Sequence, residues 1–324
     1  MYSVSELLEK VNHQVENLQF TRVPQELYEP IRYVLSMGGK RLRPTLMLMA
    51  YNLYKNDVDS ILSPASGIEI YHNYTLLHDD LMDRAERRRG KTTVHKIWGD
   101  NVAILSGDAM LVLAYQYMSQ VADRHLPQIL PLFTQTALEI CEGQQMDMNF
   151  ENRNDVTEDE YISMIRLKTS VLLAASLKIG ALLADCPIED AATLYELGIS
   201  MGLAFQLKDD YLDVYGNPDV FGKNIGGDIL CGKKTYLLIQ AMEHADTRQR
   251  SLLDKWLSDK AAAPTDKIKA VTALYNETGA DRLCEEKIRL YSRKAEEQLQ
   301  SLNVPEEQKG LLRHLLEDLT VRER

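Results

Sequence analysis

The stretch DAATLYELGISMGLAFQLKDDYLDVYG, residues 190–216, decides the fold class. Its apolar residues recur at the three- and four-residue spacing of an α-helix. The segment GISMGLAF is apolar enough for a core, whereas Gln206, Asp209, Asp210 and Asp213 stand at i, i+3, i+4 and i+7 and share one helix face. The pattern predicts a long helix whose acidic face opens from the wall of a helical bundle.

Helical patterns also dominate the rest of the chain. Residues 5–18 have amphipathic spacing, residues 157–184 open with a capping box of Thr157 and Glu160, and residues 285–302 form a further long pattern. Alternating strand patterns with hairpin signals are missing. We therefore predict an all-α fold: a single-domain helical bundle of roughly ten or more helices over residues 1–324.

Two helical stretches are apolar on most of their faces, residues 103–117 and residues 171–184. A helix of this kind lies inside a bundle or at a subunit interface. The sequence leaves both possibilities open.

Composition limits the partners of the chain. The 324 residues carry a formal net charge of -11, which is poorly suited to a nucleic-acid backbone. The apolar stretches are shorter than the roughly 20 residues of a membrane span, and the first residues do not resemble a signal peptide. The four cysteines are scattered without C-x-x-C spacing, as expected of reduced thiols. We predict a cytoplasmic protein with no nucleic-acid partner and no membrane span.

A first acidic motif stands in HDDLMD, residues 78–83. Asp79 and Asp83 are four residues apart, so a helix places both carboxylates on one face about one turn apart. Leu81 and Met82 are expected on the core-facing side of the same helix. Alone, the motif is equally well explained by a solvated acidic turn.

The acidic face of residues 206–213 repeats this spacing about 130 residues later. Two such motifs favour two facing helices that hold a shared metal cluster, as in other helical bundles. Carboxylate oxygens suit magnesium, which commonly bridges to phosphate oxygens. The pair of motifs therefore predicts a magnesium site.

Three basic clusters interrupt this acidic chain: GGKRLRP at 38–44, RRRGK at 87–91, and Lys223 with Lys233 and Lys234. Solubility is the simplest explanation of each cluster. It is weakest for the first, where two glycines free the backbone for close approach to an anion. Acids for magnesium together with separate basic clusters indicate a diphosphate substrate, and indeed two.

With these motifs in hand, the chain resembles the trans-isoprenyl diphosphate synthases over most of its length. The matching elements are GGKRLRP, YHNYTLLHDDLMD, RRRGKTTVH, GQQMD, KTS, FQLKDDYLDVYG and GKNIGGDILCGKKT, in the order and spacing of that family. The resemblance implies an all-α fold, a homodimer and a deep central cavity. It also implies condensation of an allylic diphosphate with isopentenyl diphosphate.

The resemblance further implies a role for each matching residue. Asp79 and Asp83 would bind two magnesium ions and Asp209 a third, and these aspartates would act in catalysis with Lys168 and Lys223. Support through waters or through contacts with the metal ligands would come from Asp80, Asp147, Asp210 and Asp213. The residues that would hold the allylic diphosphate are Arg88, Lys168, Thr169, Gln206, Lys223 and Lys233. Those that would hold isopentenyl diphosphate are Gly39, Lys40, Arg43, His72 and Arg89. His78 adjoins the first motif, but we assign it no direct role.

Product length is expected to depend on the residues that precede the first motif. On an ideal helix Thr75 and Tyr71 lie nearest beneath Asp79, whereas the resemblance favours Tyr74, the fifth residue before the motif. Ordinary core packing is the alternative for the tyrosines. We predict that they stop elongation early, giving farnesyl or geranylgeranyl diphosphate. The absence of a two-residue insertion in the first motif favours the geranylgeranyl product.

Three other functions share some of these features. A class I terpene cyclase would need no second diphosphate site, and an HD-type phosphohydrolase would not explain a second acidic motif. A non-catalytic subunit of a heteromeric synthase would be expected to lack acids from one motif, and both are intact here. The synthase is the preferred interpretation.

Overall fold

A computed structural model describes residues 2–217, 225–259 and 261–320. These residues form an all-α fold, as predicted, with one short β-hairpin. The α-helices, in chain order, are α1 Val4–Glu16, α2 Gln25–Leu35, α3 Leu42–Asn52, α4 Leu62–Met82, α5 Val94–Trp98, α6 Asp100–Met118, α7 Leu126–Glu151, α8 Glu158–Ile165, α9 Val171–Leu183, α10 Ile188–Tyr215, α11 Gly227–Cys231, α12 Tyr236–His244, α13 Thr247–Ser258, α14 Pro264–Thr278, α15 Ala280–Ser301 and α16 Glu306–Thr320. A 3₁₀ turn spans Val58–Ile61, and a π-helical turn, Arg166–Ser170, joins α8 to α9.

The chain divides into two compact units by its contacts. Unit 1 contains Met1–Thr134, Ala175–Leu194 and Asn303–Leu311, and unit 2 contains Gln135–Ala174, Tyr195–Leu302 and Leu312–Arg324. The single domain over residues 1–324 stays a prediction.

The core of unit 1 is built on α3 and α4. Every residue of α3 from Pro44 to Asn52 is buried, and α4 packs closely along α6. This close approach is possible because Gly67 of α4 has no side chain. A Cβ at this position would lie 2.9 Å from the Ala114 carbonyl oxygen. Burial on nearly every face shows that α3 is an internal helix.

The hairpin follows α4 and consists of β1, Arg87–Arg88, and β2, Lys91–Thr92. Its register pairs Arg87 with Thr92 and Arg88 with Lys91. The two residues of the turn, Arg89 and Gly90, have φ of 52° and 76°. Two consecutive positive φ angles are what a two-residue hairpin turn needs to match the strand twist. The arginine run thus becomes a tight turn.

Local helix signals were predicted correctly. The capping box of Thr157 and Glu160 is present at the start of α8, and α10 covers the long pattern that contains the second acidic motif. For residues 103–117 the sequence left a place inside the bundle or at a subunit interface open, and in the structure this helix is buried on one part and exposed on another. Ala103, Met110 and Ala114 of α6 are buried, whereas Leu105 and Val112 are exposed.

Two general expectations concern the thiols and the membrane. All four cysteines are free thiols. Among residues 2–217, 225–259 and 261–320, no helix combines the length and apolar character that crossing a membrane requires. The cytoplasmic location stays a prediction.

Candidate active site

The first acidic motif lies at the carboxyl end of α4. Asp79 and Asp80 are in its last turn and Asp83 caps it. Arg88 of β1 donates through Nε to Asp80 Oδ1 at 2.7 Å and through Nη2 to Asp79 Oδ2 at 3.3 Å. The hairpin therefore returns a guanidinium to the acids that precede it. Burial raises the pKa of Asp80, an effect that Arg88 opposes.

The expectation that Leu81 and Met82 face the core is wrong for Met82. Met82 is 45% exposed and Leu81 is half-buried, whereas Asp80 is buried. The reason is that α4 ends at Met82, and the buried position near this end is occupied by Asp80, whose carboxylate is paired with Arg88. A buried carboxylate is tolerated when it is paired in this way.

The third arginine of the hairpin reaches the GGKRLRP loop. Arg89 donates from Nη1 to the Gly38 carbonyl oxygen. Gly39 has a φ of +133°, and a Cβ at this position would lie 2.6 Å from Arg89 Nη1. Only glycine lets the guanidinium approach the backbone so closely. Lys40 is exposed in the same loop.

Arg43, in the first turn of α3, meets His72 of α4. Its Nη1 lies 3.3 Å from His72 Nε2. Since a guanidinium can only donate, Nε2 must accept and the ring proton must be on Nδ1. Burial and the nearby charges of Arg43 and Arg89 hold the pKa of His72 well below its usual value. His72 is therefore neutral at pH 7 and presents an Nδ1–H donor.

The three residues assigned to product length differ in their surroundings. Tyr71 is fully buried, and its ring lies 5.2 Å from that of Phe133. Tyr74 is half-buried, 5.5 Å from the Tyr71 ring and 4.8 Å from the His78 ring. Thr75 is half-buried, and its hydroxyl donates to the His72 carbonyl oxygen. Tyr71 is thus a core residue, whereas Tyr74 lies at the edge of the core.

In unit 2, Lys168 lies in the π-helical turn and donates to Asp147 Oδ2 of α7 at 2.6 Å. Gly143 allows this approach, since a Cβ there would overlap the backbone of Lys168. π-Helical turns inside α-helices are frequent at functional sites because they re-aim side chains. The structure therefore brings together two predicted site residues that lie 21 positions apart.

The neighbouring Thr169 opens a hydrogen-bonded chain that leads to the second acidic motif. Its Oγ1 donates to Gln206 Oε1 at 3.2 Å, and Gln206 Nε2 donates to Asp210 Oδ1 at 3.2 Å. The Tyr161 hydroxyl donates to the other oxygen of Asp210. Burial raises the pKa of Asp210 to about 7, against the opposing effects of the Lys233 charge and the Tyr161 hydroxyl.

The remaining residues of this motif continue into the next segment. Asp209 is half-buried on α10, and Asp213 Oδ2 accepts from the backbone amide of Asp228 at 3.0 Å. Lys233 Nζ lies 4.0 Å from Asp228 Oδ1. Lys223 lies outside the described residues.

The donor groups of both motifs suit magnesium, since every candidate ligand is a carboxylate. Within the described ranges, however, no three His, Cys, Asp or Glu side chains converge closely enough to hold a metal ion. The three magnesium ions and the individual site assignments stay predictions.

Three polar residues were not predicted. Glu69 and Asn73 are buried on α4, and Tyr161 is buried on α8. Glu69 carried a signal, because it is a lone acid within the apolar stretch SGIEIY. Tyr161 carried none, since a tyrosine in a helical apolar pattern predicts only packing.

Taken together, the features define a class: an all-α protein with carboxylate, lysine and arginine clusters suited to anionic, phosphate-bearing ligands. Residues 24–275 match the model of the polyprenyl synthetase family. The chain belongs to this family.

Similar proteins agree with this assignment. The chain is 44% identical over 230 residues to a geranylgeranyl diphosphate synthase of Methanosarcina mazei, covering 70% of this chain and 71% of that protein. It is 40% identical over 255 residues to a short chain isoprenyl diphosphate synthase of Methanocaldococcus jannaschii, covering 78% and 77%. A crystal structure of a geranylgeranyl pyrophosphate synthase superposes with a TM-score of 0.93 at 39% identity, over 100% of both chains. The predicted family, fold class and short-chain trans-prenyltransferase activity are confirmed.

Proposed function

We propose that this chain condenses isopentenyl diphosphate with an allylic diphosphate, which is dimethylallyl, geranyl or farnesyl diphosphate. The product is a short all-trans prenyl diphosphate, and geranylgeranyl diphosphate is favoured over farnesyl diphosphate. Its similarity to a short chain isoprenyl diphosphate synthase and to a geranylgeranyl diphosphate synthase supports this product class. Allylic C–O cleavage leaves a carbocation and a diphosphate, the isopentenyl double bond forms the new C–C bond, and a proton is then lost.

One observation supports the proposal: unit 1 contains two basic clusters with different surroundings, one paired with carboxylates and one next to a histidine. Arg88 donates hydrogen bonds to the carboxylates of Asp79 and Asp80. A metal-bound diphosphate at this place would contact both the metal held by the carboxylates and the positive charge of the guanidinium. Arg43 contacts a neutral His72, and the charge of Arg89 acts on the same ring; these three residues would hold a diphosphate without metal. A terpene cyclase would have no use for the second kind of site.

The residues of unit 2 would act on the leaving group. Lys168 is held by Asp147, so its ammonium is oriented before a substrate binds. Together with Lys233 and Lys223 it would stabilise the negative charge that grows on the departing diphosphate. Magnesium bound by Asp79, Asp83 and Asp209 would add Lewis-acid stabilisation of the same charge. We also propose that residues 1–324 form a single domain with a central cavity.

We further propose that the active form is a homodimer. Ile104, Leu105 and Val112 of α6 are 43%, 59% and 69% exposed, and Leu105 and Val112 lie on one helix face. An exposed apolar stripe of this kind is typical of an interface between proteins. Light scattering should give about twice the mass of one chain, and Val112→Glu should lower it.

A condensation assay tests the function. The protein is incubated with magnesium, isopentenyl diphosphate and each allylic primer in turn, and products are resolved by chain length. Prenyl diphosphates of 15 to 20 carbons are expected. A hydrocarbon formed without isopentenyl diphosphate would identify a cyclase, and no product with any primer would favour a non-catalytic subunit.

A further inference from the structure

A buried ion pair joins the same two segments of the chain as the contact between Arg43 and His72. Arg41 is 5% exposed and Glu69 is 2% exposed, and Arg41 Nη1 donates to Glu69 Oε1 at 2.6 Å. The same carboxylate oxygen accepts from Asn73 Nδ2 at 2.8 Å. Two charges this deeply buried are stable only as a pair, because each alone would have lost its hydration.

Arg41 is also the point where the GGKRLRP loop turns into α3. It caps the helix with φ 48° and ψ 31°, a left-handed conformation that L-residues rarely adopt. Its Nη2 donates to the Leu35 carbonyl oxygen at 2.8 Å, at the end of α2. One guanidinium thus ties the two ends of the Ser36–Lys40 connection to α4.

The residues assigned to isopentenyl diphosphate depend on the path of this segment. Gly38 offers its carbonyl oxygen to Arg89, Gly39 leaves space for the same guanidinium, and Arg43 lies against His72. All three contacts require the backbone of residues 38–43 to be held in place. Among the side chains of this segment, Arg41 is the one paired with a buried acid.

We propose that Arg41 and Glu69 are positioning residues for isopentenyl diphosphate. They touch neither substrate, and they fix the loop whose other members bind the second diphosphate. This inference rests on the proposed function and deepens it. It gives neighbouring cations different roles: the charge of Arg41 is balanced by Glu69 inside the protein, whereas Lys40 and Arg43 stay available to bind the ligand.

The test compares the Michaelis constants of the two substrates in three variants. Glu69→Gln keeps the side-chain volume and one hydrogen-bond acceptor. Arg41→Lys keeps the positive charge but loses the planar guanidinium, which donates to Glu69 and Leu35 at once. Arg41→Met combined with Glu69→Leu removes the whole pair. Replacing a buried pair by apolar residues often leaves stability unchanged, so the double variant separates positioning from folding. Tyr54→Phe, which loses a hydrogen bond to Asp190 elsewhere in unit 1, is the matched control.

The double variant should raise the KM for isopentenyl diphosphate by about 10- to 100-fold, the range that losing a partner behind a metal ligand typically costs. The KM for the allylic primer should stay within about twofold of wild type, and Arg41→Lys should be intermediate. Thermal melts show which variants are folded. An unchanged KM for isopentenyl diphosphate in any folded variant without the pair, or an equal rise in both constants, would overturn the inference.

The wild-type reaction separates the two levels of the proposal. If wild type forms no product, the proposed function fails whatever the variants do. If wild type condenses the substrates and Glu69→Gln, the mildest change, leaves both constants as they were, only the positioning role fails.

Discussion

Replacing Tyr74 by Ala should lengthen the product by at least one isoprene unit. Tyr74 lies five residues before Asp79 on α4, about 7.5 Å along the helix, and Tyr71 lies about 12 Å before it. The Tyr74 ring is half-buried at the edge of an aromatic cluster, so its loss opens space without dismantling the core. Tyr71 is packed on Phe133 and would remain as a deeper floor.

The magnitude follows from the apolar surface that a longer product buries. Five additional carbons, at about 0.8 kcal/mol per buried CH₂, would contribute about 4 kcal/mol if fully enclosed. A quarter of this, about 1 kcal/mol, already changes the ratio of two products about fivefold. Removing Tyr71 instead would cost about 3–5 kcal/mol of stability, because it is fully buried. Tyr74 is therefore the cleaner substitution.

Product analysis with isopentenyl diphosphate and a farnesyl primer checks this. Tyr74→Phe keeps the ring and is the matched control, expected to give the wild-type product. Tyr74→Ala with Tyr71→Ala should give longer products than Tyr74→Ala alone. If folded Tyr74→Ala gives the wild-type distribution, the assignment of product length to this position is refuted.

Other predictions concern the charge clusters. Asp79→Ala should lower kcat far more than Asp80→Ala, for which a loss of about 10- to 100-fold is expected; equal losses would contradict the roles given to them. Gly39→Ala should raise the KM for isopentenyl diphosphate about tenfold by displacing Arg89. The pKa of His72 is lowered in the folded state, so its stability contribution is present above about pH 6.5 and is lost as pH falls. In urea titrations between about pH 6.5 and 5, His72→Gln should lose stability less steeply than wild type, by up to about 1.4 kcal/mol per pH unit.

The parts of the fold that the sequence predicts are those set by local physics. The periodicity of α10 and the capping box at Thr157 depend on residues within a few positions of each other, and both are present in the structure. The placement of the second motif on one helix follows from the same periodicity. Family resemblance then adds what spacing alone leaves open, namely which acids and cations act on the same ligands.

Features that depend on distant partners were not predictable. Residues 157–184 read as one continuous helix, yet the π-helical turn at Lys168 interrupts them where α7 approaches through Gly143. The exposure of Met82 has the same kind of cause. A periodic pattern predicts which face is apolar, but it contains no information on a guanidinium that returns from a later hairpin to cover Asp80.

The GGKRLRP loop shows why counting cations overstates a binding site. By charge alone, Lys40, Arg41 and Arg43 are equivalent, because each adds one positive charge beside two glycines. The structure separates them through Glu69, a lone acid in an apolar stretch of α4. A buried carboxylate must be paired, so one nearby cation had to become internal. A lone acid inside an apolar helix therefore predicts that one charge of a neighbouring basic cluster is unavailable to the ligand.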